Sequence, residues 1–233
     1  GILVIGSSSV ADARMRIHNP DGSMAEMCGN GIRMAARYLH EHGLVADRSC
    51  TIETAGGIMR PELVGTDTVR VDMGTAVTEG RDTITLPTGE HVTGRVVSMG
   101  NPHFVIDQDP ATADVRHLGS SAECHPRFPN RSNIEFIAVD DSGEVSMRVW
   151  ERGVGEILAC GTGACAVGVT TMLVHGLSSP ITVHLPGGDL TIEVDADLRV
   201  HMTGPATRIF TGSIDPAAVL AASPYANHQE ITA

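Results

Sequence analysis

The spacing of apolar residues along the chain predicts two helices, each followed by a glycine. In the first segment apolar residues recur at helical intervals, at positions 32, 35, 36 and 39, and the pattern stops at His42-Gly43. A second segment, 164–174, is almost wholly apolar and stops at His175-Gly176. Glycine commonly ends a helix because it adopts the left-handed backbone conformation of the cap.

Short segments rich in β-branched residues, separated by Gly, Pro and Asp turns, predict strands. They cover residues 83–86, 95–99, 134–139, 145–150, 181–185 and 190–194. A helix that is apolar on every side must be enclosed. The pattern therefore predicts an α+β fold in which a curled, mostly antiparallel or mixed, barrel-like sheet surrounds a central helix.

The same pattern occurs twice. Met15-Arg16-Ile17 precedes Cys28-Gly29-Asn30-Gly31, and Met147-Arg148-Val149 precedes Cys160-Gly161-Thr162-Gly163 at the same distance, with the two copies 132 residues apart. The match continues beyond each helix, where residues 51–57 resemble 182–188 and residues 69–73 resemble 198–202. Since the offset drifts by only a few residues, we interpret the chain as an internal duplication with two pseudo-symmetric lobes.

The repeat also predicts the division of the chain. We expect a first lobe over residues 1–85, a second lobe over 86–215 and a C-terminal segment over 216–233, for which packing against the first lobe is one arrangement. The counterpart of segment 101–106 would lie upstream of Gly1. The first lobe is therefore expected to lack one or two N-terminal strands.

Charge and composition narrow the class of partner. Acidic residues outnumber basic ones by 28 to 16, giving a formal charge of −12, which argues against nucleic acid or an anionic membrane. A small-molecule substrate is the better expectation. No apolar stretch approaches the roughly 20 residues of a membrane span, so the expected location is the cytoplasm. The five cysteines contain no CxxC pair, which indicates free thiols without a disulfide framework or a metal site.

The two repeated cysteines suggest acid–base chemistry. A cysteine before a glycine-rich turn and a helix lies close to unpaired N–H groups and the positive end of the helix dipole, which favours the thiolate. Two such thiols related by a duplication would face each other across a bound substrate, one removing a proton and the other delivering one to the opposite face. The chain has neither a glycine-rich nucleotide motif nor an evident pyridoxal lysine. We therefore expect inversion of a stereocentre without a cofactor.

Several motifs taken together are similar to those of diaminopimelate epimerases. They are Asn19-Pro20-Asp21-Gly22-Ser23, Glu26-Met27-Cys28-Gly29-Asn30-Gly31, Gly100-Asn101-Pro102-His103-Phe104, Arg131-Ser132-Asn133, and the run from Glu151-Arg152-Gly153-Val154-Gly155-Glu156 to Ala159-Cys160-Gly161-Thr162-Gly163-Ala164-Cys165. The resemblance implies that family's fold and the interconversion of LL- and meso-2,6-diaminopimelate, on the route to lysine and peptidoglycan. It also implies a homodimer.

The resemblance implies roles for individual residues. Cys28 would be the proton donor and Cys160 the acceptor in the LL-to-meso direction, with His103 and Glu151 as supporting polar residues. The implied substrate-binding residues are Asn19, Gly29, Asn30, Asn101, Asn133, Glu151, Arg152, Gly161 and Thr162. The resemblance implies no metal. A forked guanidinium suits a carboxylate because it binds in a bidentate manner.

Two departures and three alternatives accompany this interpretation. The family's N-terminal Asn-Asp-Phe segment has no match here, and Phe210 stands where many relatives carry an aromatic hydroxyl at the dimer contact. A proline racemase or hydroxyproline epimerase would call for His at Asn30. A silent binding protein and a thiol redox sensor are the alternatives from other classes.

A purely structural role also explains several of these residues when each is considered alone. Asn19, before Pro-Asp-Gly, fits a turn residue, and a lone His103 fits a structural role. Cys50, Cys124 and Cys165 are expected to be structural, since none opens a glycine turn.

Overall fold

The structure is a computed structural model and describes residues 1–19, 22–25 and 28–222. Four residues of the recognised motifs, Pro20, Asp21, Glu26 and Met27, lie outside the described residues, as does 223–233 of the predicted C-terminal segment. The helices are α1 Gly29–Glu41, α2 Val115–Glu123, α3 Gly161–His175 and α4 Pro216–Ala222. No helix in the described part of the chain is long and apolar enough to cross a membrane.

The strands form two sheets, one of five strands and one of eleven. The smaller sheet contains β1 Ile2–Gly6, β2 Ala13–His18, β3 Met24–Ala25, β4 Ile52–Thr54 and β5 Gly57–Met59. The larger sheet contains β6 Pro61–Leu63, β7 Thr68–Thr75, β8 Val77–Thr85, β9 His91–Ser98, β10 Pro102–Asp107, β11 Asn133–Val139, β12 Val145–Glu151, β13 Gly155–Ile157, β14 Ile181–Leu185, β15 Gly188–Val194 and β16 Arg199–Pro205.

Strand pairing repeats along the chain and confirms the internal duplication. β1 pairs antiparallel with β2, and β2 pairs parallel with β4; β11 pairs antiparallel with β12, and β12 pairs parallel with β14. The registers agree as well, since Gly6 opposite Arg14 corresponds to Ala138 opposite Ser146. The copies therefore share one supersecondary structure.

The two copies meet where equivalent strands pair. β7 of the first copy and β16 of the second run antiparallel, with Val71 opposite Met202. The β7–β16 pair forms a seam between the two copies, and the order of the strands is mirrored on its two sides. β6 and β5 on one side correspond to β15 on the other, and β4 and β2 correspond to β14 and β12. A pseudo-two-fold relation thus runs through the β7–β16 pair.

Helix α3 is enclosed as the sequence predicts. Its residues from Gly163 to Thr171 are buried, and it packs against β9, β10, β11, β14, β15 and β16. α1 packs on the first copy, against β1, β2, β6 and β7, and it contacts α3. The curled sheet around a central helix is confirmed.

A second, smaller core lies on the other face of the larger sheet. Helix α2 packs there on β11, β12 and β13, over apolar residues that include Phe104, Phe136 and Leu118. The larger sheet contains strands from both sides of residue 85, and β8, assigned to the predicted first lobe, pairs with β9. The lobe boundary stays a prediction.

Candidate active site

Each of the two repeated cysteines is the N-cap of its helix. Cys28 and Cys160 have extended backbones, and each sulfur accepts a hydrogen bond from the N–H three residues on, Gly31 at 3.3 Å and Gly163 at 3.4 Å. This is the geometry in which Ser, Thr or Asp usually cap a helix. Both thiols are free, Cys160 buried and Cys28 partly exposed.

The first residues of the two helices touch. A Cβ placed on Gly29 would lie 3.4 Å from the Cα of Gly161, and one placed on Gly161 would lie 3.3 Å from the Cα of Gly29. The side chain of Met202 fills the space beside both glycines. The duplication therefore brings both N-termini, each with a cysteine at its start, to one place.

A buried guanidinium joins the two halves of this site. Arg33 of α1 is 6% exposed and donates to the backbone oxygens of Gly29 at 3.1 Å and Pro205 at 3.2 Å and to Oδ1 of Asn30 at 3.0 Å. Burial lowers the pKa of Arg33, and negative charge on Cys28 opposes that shift. Arg33 thus fixes Asn30 and the start of α1 against the second copy.

A chain of hydrogen bonds leads from the interior to the sulfur of Cys160. Nδ1 of His103 lies 2.7 Å from Oε1 of Glu135, and its Nε2 lies 3.1 Å from Oδ1 of Asn101. Nδ2 of Asn101 donates to the hydroxyl of Thr162 at 3.2 Å, and that hydroxyl lies 3.5 Å from the sulfur. His103 and Glu135 are both 0% exposed. The structure therefore brings four of the predicted residues together, namely Asn101, His103, Cys160 and Thr162.

The expectation that the environment of Cys160 favours the thiolate is contradicted by the direction in which its pKa is shifted. Burial raises the pKa of Cys160 to about 12, and the carboxylates of Glu135 and Glu151 raise it further. Hydrogen bonds from Thr162 and Gly163 lower it but are outweighed. Loss of water around the buried thiol raises the pKa by more than the helix N-terminus lowers it, because the site lies inside the protein.

Glu151 approaches the same group of residues from the end of β12. Burial raises the pKa of its carboxyl, while the charge of His103 lowers it and that of Glu135 raises it. The Glu151 carboxyl therefore lies within electrostatic reach of His103, where a proton passed to it would be retained more easily than in water.

The loop after Glu151 is held by two internal residues. The Asn133 amide donates to the backbone oxygen of Pro102 at 2.9 Å and accepts from the N–H of Arg152 at 3.0 Å. Glu123, at the end of α2, accepts from the N–H of Gly153 at 2.8 Å. The Arg152 side chain is exposed and bonds only the oxygen of Asn130 within the described residues, which leaves most of its donors available for a ligand.

The remaining predicted residues lie as follows. Asn19 is exposed in the turn between β2 and β3, where its amide donates to the Ser23 hydroxyl at 3.1 Å, so the turn accounts for its present contacts. Cys50 and Cys165 are buried, whereas Cys124 is exposed at the end of α2. Phe210 is 83% exposed.

Three residues of the site escaped sequence reasoning: Arg33, Glu123 and Glu135. Comparison of the copies at the 132-residue offset could have found two of them, because Arg33 aligns with Cys165 and Glu135 aligns with Leu3. Leu3 and Glu135 lie in equivalent places, each against the glycine that bonds its cysteine, Gly31 or Gly163. At each of these two equivalent positions, one copy therefore has a charged residue where the other has an uncharged one.

The fold is shared with solved structures of low sequence identity. A probable proline racemase from Agrobacterium radiobacter superposes with a TM-score of 0.69 at 18% identity, over 97% of this chain and 77% of that one. A hydroxyproline epimerase from Agrobacterium vitis gives 0.66 at 18% identity, over 87% and 71%, and a phenazine biosynthesis protein of the PhzF family from Bacillus anthracis gives 0.65 at 19%, over 86% and 80%. The chain therefore shares its fold with these proteins.

Sequence comparison identifies the family among proteins that share this fold. The family model for diaminopimelate epimerase matches residues 1–79 and 95–209. Diaminopimelate epimerases from Desulfitobacterium hafniense and Moorella thermoacetica are 45% and 46% identical, each over 91% of this chain and over 81% and 82% of the relative. The chain belongs to the diaminopimelate epimerase family.

Proposed function

We propose that this chain interconverts LL- and meso-2,6-diaminopimelate by moving a proton between its α-carbon and two thiols, as a step in lysine and peptidoglycan precursor synthesis. The observation that carries the proposal is the contact between Gly29 and Gly161, which brings two cysteine-capped helix starts to one point. Inversion requires an acid and a base on opposite faces of the same carbon, and two equivalent thiols related by a pseudo-two-fold meet that requirement.

The substrate carboxylate at the reacting end would bind to the helix starts. In each helix the first N–H groups have no acceptor within the helix, and here they belong to Gly29 and Asn30 in α1 and to Gly161 and Thr162 in α3. These four amides and the positive ends of two dipoles favour an anion. The α-carbon would then lie between the sulfurs.

Proton transfer would follow from this placement. In the LL-to-meso direction Cys160 would take the α-proton and Cys28 would supply one to the other face, with the roles exchanged in reverse. Since burial raises the pKa of Cys160 to about 12, this thiol needs a positive charge nearby to act as a base. The ammonium group of the substrate supplies the positive charge that favours the thiolate, with His103 and Glu151 as supporting residues.

The far end of the substrate would bind the polar residues of the second copy. Arg152 is the exposed cation suited to the distal carboxylate. Asn101 and Asn133 have internal hydrogen-bond partners through both amide atoms, so a ligand would share or replace these bonds. Asn19 is the remaining candidate from the first copy.

Deuterium incorporation tests the proposal. Incubating the reduced protein with LL-diaminopimelate in deuterated water should place deuterium at one α-carbon and yield the meso isomer. Cys28→Ser and Cys160→Ser should each lower turnover at least about 10³-fold, since each removes an essential proton carrier. Cys124→Ser alters an exposed thiol and serves as the control. Absence of exchange by the folded, reduced protein would contradict the proposal.

The same experiment addresses the alternatives. Exchange into L-proline without exchange into diaminopimelate would indicate a proline racemase instead, and reversible loss of two thiols without exchange would indicate a redox sensor. Family membership supports the cytoplasm as the location. We also propose that the protein forms a homodimer. Analytical sedimentation would measure its oligomeric state.

A further inference from the structure

Glu135 lies in β11, behind the first turn of α3. Its carboxylate is 0% exposed, and its Oε2 has no hydrogen-bond partner among the described residues. A Cβ on Gly163 would lie 2.8 Å from Oε1, so the helix turn that begins at Cys160 rests on this carboxylate. Burying a carboxylate is costly, and the equivalent position of the first copy holds Leu3. Packing alone therefore does not require an acid at this position.

Two hydrogen-bond directions are open to the side chains between Glu135 and Cys160. An amide oxygen only accepts, so Nε2 of His103 must carry the hydrogen that bonds Oδ1 of Asn101. The amide nitrogen then donates to Thr162, which leaves the hydroxyl hydrogen of Thr162 for the sulfur. If Asn101 were turned over, that hydroxyl would donate to the amide oxygen and the sulfur would lose a donor.

Asn101 has the first of these orientations, and the contact between Nδ1 of His103 and Glu135 holds the imidazole ring that faces it. At 2.7 Å this contact orients the ring so that Nε2 lies against Oδ1 of Asn101. With Leu in place of Glu135, Nδ1 would have no partner, and the ring would lose the contact that fixes its position behind Asn101. We propose that Glu135 is a positioning residue, which acts through His103, Asn101 and Thr162 to aim a hydroxyl hydrogen at the sulfur of Cys160.

This arrangement distinguishes the two thiols of the proposed reaction, on which the inference rests. The Cys160 sulfur receives donors from Gly163 and Thr162, and Thr162 is aligned with Asn30 in the first copy, whose amide is bound by Arg33 instead. Glu151 is the other acid within electrostatic reach of His103. Glu135 thus directs an additional donor to one thiol only, and this effect opposes the rise in the pKa of Cys160 that its own charge causes.

A double-mutant cycle tests whether Glu135 acts through Thr162. Thr162→Val removes the hydroxyl with little change of shape, and Thr162→Ser retains it. We expect Thr162→Val to lower kcat about 10- to 100-fold with a small change in KM, the range for one lost hydrogen bond to a charged group, and Thr162→Ser to lose less. Thr170→Val is the matched control, since Thr170 is buried in the same helix and its hydroxyl has no partner among the described residues.

Glu135→Leu should lower kcat about 10-fold in the native background and add nothing when Thr162 is already valine. Additive losses would overturn the inference, because they would show that Glu135 acts by another route. If Glu135→Leu does not fold, Glu135→Gln replaces it. We expect a smaller loss with the same coupling, since an amide can still donate to or accept from Nδ1 and so retains part of the contact that positions the ring.

Nitrogen NMR of His103 supplies a measurement independent of turnover. In the reduced, substrate-free protein the Nε2 resonance of His103, assigned by its absence in His103→Gln, should be that of a protonated nitrogen. It should change in the Glu135 variants and remain in Thr170→Val. An unprotonated Nε2, or a spectrum that Glu135→Leu leaves unaltered, would overturn the inference even where the deuterium experiment supports the epimerase.

Discussion

Gly29 and Gly161 are the residues at which the two copies approach most closely around the site. Their role is steric, because each leaves room that a methyl group would fill: a Cβ on Gly29 lies 3.2 Å from Cε of Met202 and 3.4 Å from the Cα of Gly161. Neither glycine has a positive φ. Close approach, not backbone conformation, is the reason for glycine at these two positions.

Gly29→Ala should therefore separate the helix starts by a few tenths of an ångström. We expect kcat to fall about 10- to 100-fold, because displacement of reacting groups by a fraction of an ångström is costly, and the free energy of unfolding to fall by about 1–3 kcal/mol from overpacking. Steady-state kinetics and urea unfolding measure the two effects. Gly6→Ala, where a Cβ meets nothing within 4 Å, should leave kcat unaltered; equal losses in both variants would contradict the steric account.

Three buried thiols predict how stability depends on pH. Burial raises the pKa of Cys50 to about 11 and that of Cys160 to about 12, and it also raises that of Cys165. Unfolding returns each thiol to its ordinary pKa of about 8.5. Above that pH the unfolded chain has lost protons that the folded chain retains, so the free energy of unfolding falls as pH rises.

The expected slope is at most about 1.4 kcal/mol per pH unit for each buried thiol between pH 9 and the folded pKa. Urea unfolding at pH 8, 9 and 10 measures it. Cys160→Ser should reduce the slope by the share of one thiol, while Cys124→Ser, which alters an exposed thiol, should not. A free energy of unfolding that rises with pH would show that these thiols are not the dominant groups.

At the scale of elements, α2 lies against β11, β12 and β13 of the second copy. It supports the loop that carries Glu151 and Arg152, because Glu123 at its end accepts from the indole N–H of Trp150 at 2.7 Å and from the N–H of Gly153 at 2.8 Å. A Cβ on Gly119 would lie 2.5 Å from the Cβ of Trp150. The helix therefore presses directly on the strand that leads to the site.

Glu123→Gln should loosen this loop. The two donors point at different carboxylate oxygens, so an amide can satisfy only one of them and turns its NH₂ toward the other. We expect KM for diaminopimelate to rise about 3- to 10-fold with a smaller effect on kcat. The fluorescence of Trp150, the sole tryptophan, should shift to longer wavelength. Glu90→Gln, at an exposed turn, is the control; a kcat loss with unchanged KM would contradict a role in binding.

Local signals explain which elements were predictable. Residues 181–185 were predicted as a strand and form β14 with the same bounds, because β-branched residues alternate there between turns. Helices α1 and α3 end near the predicted glycines. β1 and α2 were not predicted; Asp114, whose side chain caps α2 through the N–H of His117, was the available signal for the helix.

The same reasoning separates the site residues. Cys28 and Cys160 were predictable because cap, glycine and helix follow one another within a few positions. Comparison of the two copies could have singled out Arg33 and Glu135, but it could not have given their partners, which lie far along the chain, Pro205 for Arg33 and His103 for Glu135. A single charge in an apolar run gives no indication of which distant group it meets.

On the scale of the whole molecule, the seam between β7 and β16 makes one unit of the two copies. Arg33 of the first copy bonds Pro205 of β16, and Arg70 of β7 forms a bidentate pair with Glu193 of β15, at 3.0 and 2.9 Å. The apolar cluster around α1 and α3 is continuous across the seam. We therefore expect the copies to unfold together.

Probes in the two copies should report one transition. Trp150 fluorescence follows the second copy, and protection of the buried Cys50 thiol from alkylation follows the first. Both should change at the same urea concentration, within about 0.3 M, because two-state behaviour requires coincident probes. Exposure of Cys50 at a clearly lower concentration would show that the first copy opens independently.

The seam also bears on how such a site could arise. Because β7 and β16 are equivalent strands, two separate chains of the unduplicated unit could pair through the same edge, and their site would lie on a true two-fold axis. Each residue would then be present twice, and the two thiols would be interchangeable. Joining the units in one chain removes that constraint, so a carboxylate can stand behind one sulfur and a leucine behind the other. The fusion thus allows a pseudo-symmetric substrate-binding site to contain a base and an acid whose surroundings can differ.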